Sequence, residues 1–308
     1  MTRAVVLGYH NVGVRCLRAL VETGVDVPLV LTHEADPAEN IWFDSVARTA
    51  SEYGIPAITP ADPNAADVVE RVAECRPDFL FSFYYRSMLK ASLLGLPPRG
   101  ALNMHGSLLP KYRGRAPVNW AIIHAETETG ATLHYMTAKA DSGDIVAQRA
   151  VPILPDDTAK EVFDKVTTAA ELTLRGALPA LLAGNAPRYR QDAGASSYYG
   201  GRKPEDGWID WSKSASVIHN LVRGVAPPYP GAFTLLDGRP ARVLRTQLVD
   251  AAAPPAREPS LGVESGTLVA HCGGGGTLSI LTLEVDGAPM SAAGFAATRG
   301  SNRAPLGR

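Results

Sequence analysis

From residue 4 onward the chain alternates short β-branched runs with helical patterns, and that alternation leaves few folds open. Ala4 to Leu7 is a strand-length apolar run and Gly8 to Gly13 a turn. Val14 to Glu22 then places Val14, Leu17, Leu20 and Val21 on one side of a helix. Gly24 closes the helix, and Val27 to Leu31 is the next strand, so the first 31 residues read as a β-α-β unit. The pattern repeats through a helix over Phe43 to Tyr53, a strand over Ile55 to Ile58, a helix over Asn64 to Glu74 and a strand over Asp78 to Phe83. Strands alternating with helices predict an α/β domain with a parallel sheet covered on both faces.

Further along, a helix is expected from Ala116 to Ala125, entered through Pro117 near its first turn. Strands follow at Ala131 to Thr137 and Ile145 to Val151, and a long helix at Asp157 to Leu182. After about Asn185 the texture changes. Gly and Pro clusters and a short helix over Ser214 to Val225 precede candidate strands at Phe233 to Leu236, Val243 to Val249, Thr267 to Ala270 and Leu278 to Leu283. Short strands separated by turn residues predict a small β barrel or sandwich. The expected division is 1–188 for the α/β domain, 189–300 for the β-rich domain and 301–308 for a loose tail.

Composition removes several function classes. A formal net charge of -1 supplies no global pull toward nucleic acid or anionic membrane. Cys16, Cys75 and Cys272 are odd in number and form no C-x-x-C pair, which suggests neither a disulfide framework nor a zinc site, and fits a reducing compartment. The apolar segment at the N-terminus is too short for a signal peptide, and no run approaches the roughly 20 apolar residues of a membrane span.

Chemistry concentrates in Asn103-Met-His-Gly-Ser-Leu-Leu-Pro-Lys-Tyr-Arg-Gly-Arg-Ala-Pro117. Strand alternation points Asn103 and His105 to one face and Met104 to the other. The pair lies at the C-terminal end of a strand of the parallel type, where open α/β sheets bind ligands. An amide can donate to a developing oxyanion, and an imidazole can move a proton near neutrality. Asp141 or Asp144, in the loop Thr137-Ala-Lys-Ala-Asp-Ser-Gly-Asp144, could reach back and orient the imidazole; the plain alternative is an ordinary Asp/Gly turn. Lys111, Arg113 and Arg115 form a local basic cluster suited to a phosphate or carboxylate. Phe81 to Leu89 could wall a planar ligand, although such aromatic runs usually belong to a core. Gly8-Tyr-His-Asn-Val-Gly13 lacks both the dinucleotide spacing and the P-loop Lys-Ser/Thr.

Asn103-x-His105, Ser107-Leu-Leu-Pro110, Arg113-Gly-Arg-Ala-Pro117 and Asp141-Ser-Gly-Asp-Ile145 together resemble the folate-dependent formyltransferase family. Ser82-Phe-Tyr-Tyr-Arg86, the run from His105 to Pro117 and Glu126-Thr-Glu-Thr-Gly130 make the chain most similar to the branch that formylates UDP-4-amino-4-deoxy-L-arabinose. The resemblance runs from Val5 to about Leu283 and loosens in the second half.

It implies a Rossmann-like N-terminal domain, an OB-like C-terminal domain and 10-formyltetrahydrofolate as co-substrate, with no metal. By similarity Asn103 stabilises the oxyanion, His105 donates and accepts the proton, and Asp141 raises the pKa of His105. Ser87, Met88, Leu89 and Arg115, with Thr137, Ala138, Lys139, Ala140 and Asp141, correspond to the folate site. The implied setting is cytoplasmic, and the implied partner is a nucleotide-linked amino sugar used in lipid A modification and polymyxin resistance. Neither nucleic acid nor a membrane span is expected, and a homo-oligomer is compatible. Formyl transfer alone is expected, because the best-known members add a dehydrogenase-type domain that these 308 residues do not include.

The alternatives are another nucleotide-amino sugar, methionyl-tRNA formyltransferase, glycinamide ribonucleotide formyltransferase and a non-catalytic binding module. The charge of -1 disfavours a tRNA acceptor. The glycinamide ribonucleotide enzymes are usually shorter, which would leave the β-rich residues unexplained, and a module without catalysis has no need of Asn103, His105 and Asp141 together.

Overall fold

The computed structural model describes residues 1–34, 39–300 and 302–307. Its residues group into two compact units, neither a single stretch of chain: 1–117, 128–152 and 163–200 form the first, and 118–127, 153–162 and 201–308 the second.

The first unit begins with β1 (Arg3–Gly8), α1 (His10–Glu22), β2 (Asp26–Leu31), α2 (Val46–Glu52), β3 (Ala57–Ile58), α3 (Ala66–Glu74), β4 (Phe79–Phe83), α4 (Ala91–Leu94) and β5 (Ala101–His105). Val5, Leu7, Leu29, Leu31 and Leu80 alternate onto one face of the sheet, where Val68, Val72 and Leu93 of α3 and α4 complete a buried cluster. Burying each such side chain stabilises the fold by about 1.5–3 kcal/mol. The helix α2 starts where Ser45 accepts a hydrogen bond from the Arg48 amide at 3.2 Å, a standard N-cap.

After the two-residue strand β6 (Arg113–Gly114) and helix α5 (Pro117–Ile123), the chain returns as β7 (Glu128–Tyr135) and β8 (Ile145–Pro152). It continues into α6 (Ala159–Ala183) and β9 (Tyr198–Tyr199), which pairs in parallel with β6. The sheet order is β3-β2-β1-β4-β5-β7-β8. The expected parallel pairing holds among β1 to β5, whereas β7 runs antiparallel to β5 and β8 antiparallel to β7. As read from the sequence, β7 and β8 are joined directly by the loop that carries Asp141, and so short a connection makes an antiparallel pair.

The second unit is built on α7 (Ala215–Val225) and the antiparallel strands β10 (Ala232–Leu236), β11 (Arg239–Asp250), β12 (Ser260–Glu264), β13 (Thr267–His271), β14 (Thr277–Val285) and β15 (Ala288–Pro289). The helix α8 (Ala292–Arg299) and the strand β16 (Ala304–Gly307) end it. Pairing of β11 with β14 closes a six-stranded barrel around β11-β10-β16-β12-β13-β14. Trp211, Ile218, Val222, Ala270 and Leu278 fill its core, and the Trp211 indole N–H donates to Thr234 Oγ1 at 2.8 Å. The expected loose tail is corrected here: Ala304–Gly307 is a strand bonded to β10 and β12, with Ala304 and Leu306 buried. Its alternation of small and apolar residues spans only four positions, too few to register as a strand by pattern.

Among the described residues no helix is long and apolar enough to cross a membrane. Cys16 is fully buried in the first unit and Cys272 in the second; burial pushes the Cys272 thiol up to about 11.

Candidate active site

The register of β5 sets the site. Asn103 lies beside Ser82 of β4 on one side and opposite His134 of β7 on the other, while Met104 turns into the core at 1% exposure. Cross-strand partners on one face approach closely. The Asn103 amide Nδ2 accordingly sits 3.2 Å from His134 Nε2. The His134 Nδ1 lies 2.8 Å from the carbonyl of Tyr135, which can only accept, so Nδ1 carries the proton and Nε2 receives from Asn103.

His105 is held by the loop that follows it. Thr132 Oγ1 donates to the Ser107 carbonyl at 2.6 Å and accepts from the Leu109 amide and from Gln148 Nε2. Gln148 also donates to the Leu109 carbonyl at 2.7 Å. These bonds pin Ser107-Leu-Leu-Pro110 so that the chain doubles back and brings the Tyr112 carbonyl to 2.7 Å from His105 Nε2. A carbonyl accepts only, so Nε2 is the protonated nitrogen and Nδ1 is the one free to exchange a proton.

Asp141 completes the constellation. Its Oδ1 lies 3.4 Å from Asn103 Nδ2, 3.6 Å from His105 Nδ1 and 3.5 Å from His134 Nε2, and its Oδ2 accepts from the Gly114 amide at 2.9 Å. The side chain is 12% exposed. Burial by itself would raise the carboxyl, but the charge of His105 when protonated and the Gly114 N–H outweigh it and hold the group well below the usual carboxylate range. Asp144, the other candidate, has its carbonyl bonded to the Tyr135 amide at 2.9 Å and lines a separate cavity of about 500 Å3.

The three side chains face a cavity of about 610 Å3 contained in the first unit. Of the residues expected to wall it, Ser87, Met88, Leu89, Arg115, Thr137, Ala140 and Asp141 do so. Lys139 faces the other cavity, and Ala138 lines neither. The aromatic run contributes Tyr84 and Tyr85 to this wall, while Phe81 and Phe83 are core. His33 stacks on Tyr85 at 4.1 Å and accepts from the Arg86 amide at 3.0 Å, which steadies that side. Of the basic cluster, Arg115 is exposed at the cavity, whereas Arg113 is buried and turned to Gln191.

Sequence reasoning missed His134. Its signal lies in the register: a histidine three residues before the Asp141 loop opposes Asn103 once β7 pairs antiparallel with β5.

Gly143 lets this loop close on the sheet, since a Cβ there would lie 1.9 Å from the Tyr135 carbonyl oxygen. Gly143→Ala is expected to destabilise the protein by about 1–3 kcal/mol and to depress activity by displacing Asp141. Urea melts run beside activity assays check both, and a variant equal to wild type in each would contradict the close approach.

An amide, two imidazoles and a carboxylate at strand ends beside a cavity define an enzyme of the open α/β class, equipped for proton movement and oxyanion stabilisation. Residues 3–178 match the family model described as formyl transferase, and residues 202–300 match the formyl transferase C-terminal domain. The chain belongs to the formyl transferase family.

Solved structures share the fold. The N-formyltransferase from Helicobacter canadensis, in complex with folinic acid and dTDP-3-aminofucose, superposes at TM-score 0.74 and 20% identity, over 91% of this chain and 99% of that one. WlaRD, a sugar 3N-formyltransferase solved in the presence of dTDP and 5-N-formyl-THF, gives 0.71 and 18%, over 91% and 97%. A sugar N-formyltransferase from a Shewanella species gives 0.63 and 18%, over 81% and 99%.

Proposed function

We propose that the protein transfers a formyl group from 10-formyltetrahydrofolate to the amine of a nucleotide-linked amino sugar. The observation that carries this reading is the convergence of Asn103, His105 and Asp141 on one cavity, lined on one side by Ser87, Met88 and Leu89. The folinic acid and dTDP-3-aminofucose of the Helicobacter canadensis complex, with the dTDP and 5-N-formyl-THF of the WlaRD structure, support both substrates.

In this mechanism the neutral amine attacks the formyl carbon carried on N10 of the folate. The C–N bond forms, and the carbonyl pair moves onto oxygen. Asn103 Nδ2 donates to that oxyanion with the hydrogen that otherwise makes the long 3.4 Å contact to Asp141 Oδ1, while the other stays on His134. His105 Nδ1 receives the proton released by the attacking amine and returns it to N10 as the C–N10 bond breaks, leaving tetrahydrofolate and the formamide. Asp141 stays ionised beside Nδ1 and stabilises the imidazolium formed between the two steps.

Within this class the motif run from His105 to Pro117 favours UDP-4-amino-4-deoxy-L-arabinose, with a cytoplasmic role in lipid A modification. The dTDP-3-aminofucose of the Helicobacter canadensis complex favours a dTDP-linked 3-amino sugar instead. Incubating the protein with 10-formyltetrahydrofolate and a panel of UDP- and dTDP-amino sugars, and reading product masses, decides between them. Formylation of the UDP-arabinose derivative alone is the expected result. Turnover of a dTDP sugar alone selects the second acceptor, and no formylated product from any member overturns the function.

A further inference from the structure

The Asp141 loop has no regular secondary structure to hold it, and its key residue sits in an unfavourable backbone conformation. Asp141 has φ +51°, a left-handed geometry that costs a non-glycine residue about 1–2 kcal/mol. Bonds inside the loop shape its tip: Thr137 and Ser142 hydroxyls both donate to the Lys139 carbonyl at 2.9 Å. Those bonds do not tie Asp141 to anything outside the loop.

Gln191, from the segment between α6 and β9, supplies that tie. Its Nε2 donates to the Asp141 carbonyl at 2.9 Å and to the Gly143 carbonyl at 2.7 Å. Its Oε1 accepts from Arg113 Nε at 3.2 Å and Nη2 at 2.7 Å, so both amide hydrogens and the amide oxygen are engaged. Arg113 is 6% exposed, which gives the oxygen a fixed anchor. The next residue, Gly114, donates its amide to the Asp141 carboxylate. The dipeptide Arg113-Gly114 therefore holds Asp141 twice, once at the carboxylate and once, through Gln191, at the backbone.

We propose that Gln191 is a positioning residue for the reaction: it does not line the substrate cavity, and it sets the carboxylate of Asp141 against His105 and Asn103. The inference rests on the formyl-transfer reading for its kinetic arm only. The distances from Asp141 Oδ1 to Asn103 Nδ2 and His105 Nδ1 are 3.4 and 3.6 Å, already at the outer edge of useful contact. A displacement of about 1 Å at such a site can cost about 100-fold in rate.

Gln191→Glu tests this cleanly. It keeps side-chain length and the acceptor for Arg113, but turns an oxygen instead of an NH2 group toward two carbonyl oxygens. We expect kcat to fall by about 10- to 100-fold with both KM values nearly unchanged and the urea midpoint close to wild type. Amide hydrogen exchange over residues 137–144 should speed up while exchange in β1, β4 and β5 stays put. Gln191→Ala should repeat the pattern with a larger loss of stability. Unchanged exchange over 137–144 overturns the proposal whether or not wild type transfers formyl groups, and so does a uniform rise in exchange across the sheet. If wild type is inactive toward every acceptor, the formyl-transfer reading fails, and the exchange arm still decides the role of Gln191.

Discussion

His105→Ala is expected to lower kcat for formyl transfer by about 100- to 10,000-fold, and Asn103→Ala by about 100- to 1,000-fold, or roughly 3–4 kcal/mol. Both side chains project from the face opposite Leu102 and Met104, so neither truncation touches the core contacts of those two residues. Tyr112 in the first variant loses a hydrogen bond to its carbonyl, a cost of about 1–3 kcal/mol, which the fold can absorb. Because both groups serve the same tetrahedral species, the double variant should lose less than the product of the two single effects. Single-turnover assays with saturating donor give these numbers free of product release. Near-wild-type turnover by His105→Ala would remove the imidazole from the mechanism.

Asp141→Asn carries the second large effect. The amide cannot stabilise an imidazolium, and whichever way it turns, its NH2 group meets one of the two donors that the carboxylate accepts from, the Gly114 amide or Asn103 Nδ2. A comparable replacement behind a catalytic imidazole costs up to about 10,000-fold in hydrolytic triads, and a loss of at least about 100-fold is expected here. The same residue leaves a mark on stability. Its carboxyl is held below its unfolded value, near 3.9, so the folded state binds the proton less readily than the unfolded chain. The resulting stabilisation is complete above about pH 5 and drains away as pH falls through the unfolded value toward the lower folded one. Urea midpoints measured from pH 7 to pH 3 should therefore drop more steeply for wild type than for Asp141→Asn. Parallel curves would show that the carboxylate gains nothing from its neighbours.

Much of this site was legible because its parts obey strand periodicity. Asn103 and His105 two residues apart, with apolar Leu102 and Met104 between and before them, can only share a face, and their place at a strand end follows from Gly106. The first sheet strands were legible for the same reason, each being a compact apolar run bounded by turn residues. What stayed hidden depends on pairing across the chain. His134 looks like any polar residue in a half-buried strand until β7 is laid antiparallel against β5. Gln191 lies 50 residues from Asp141, in a stretch with no periodic pattern, and side chain to backbone bonds of that kind leave no sequence signature. The short strands β6, β9, β12 and β16 were missed because two to five residues cannot establish a period of two.

The last of these strands alters how the polypeptide can be handled. With β16 seated between β10 and β12, Ala304–Gly307 is a stave of the barrel. Clipping it would leave two neighbouring strands with raw hydrogen-bonding edges, open to intermolecular association. For anyone handling the protein, this argues for treating nicks within residues 304–307 as a cause of aggregation.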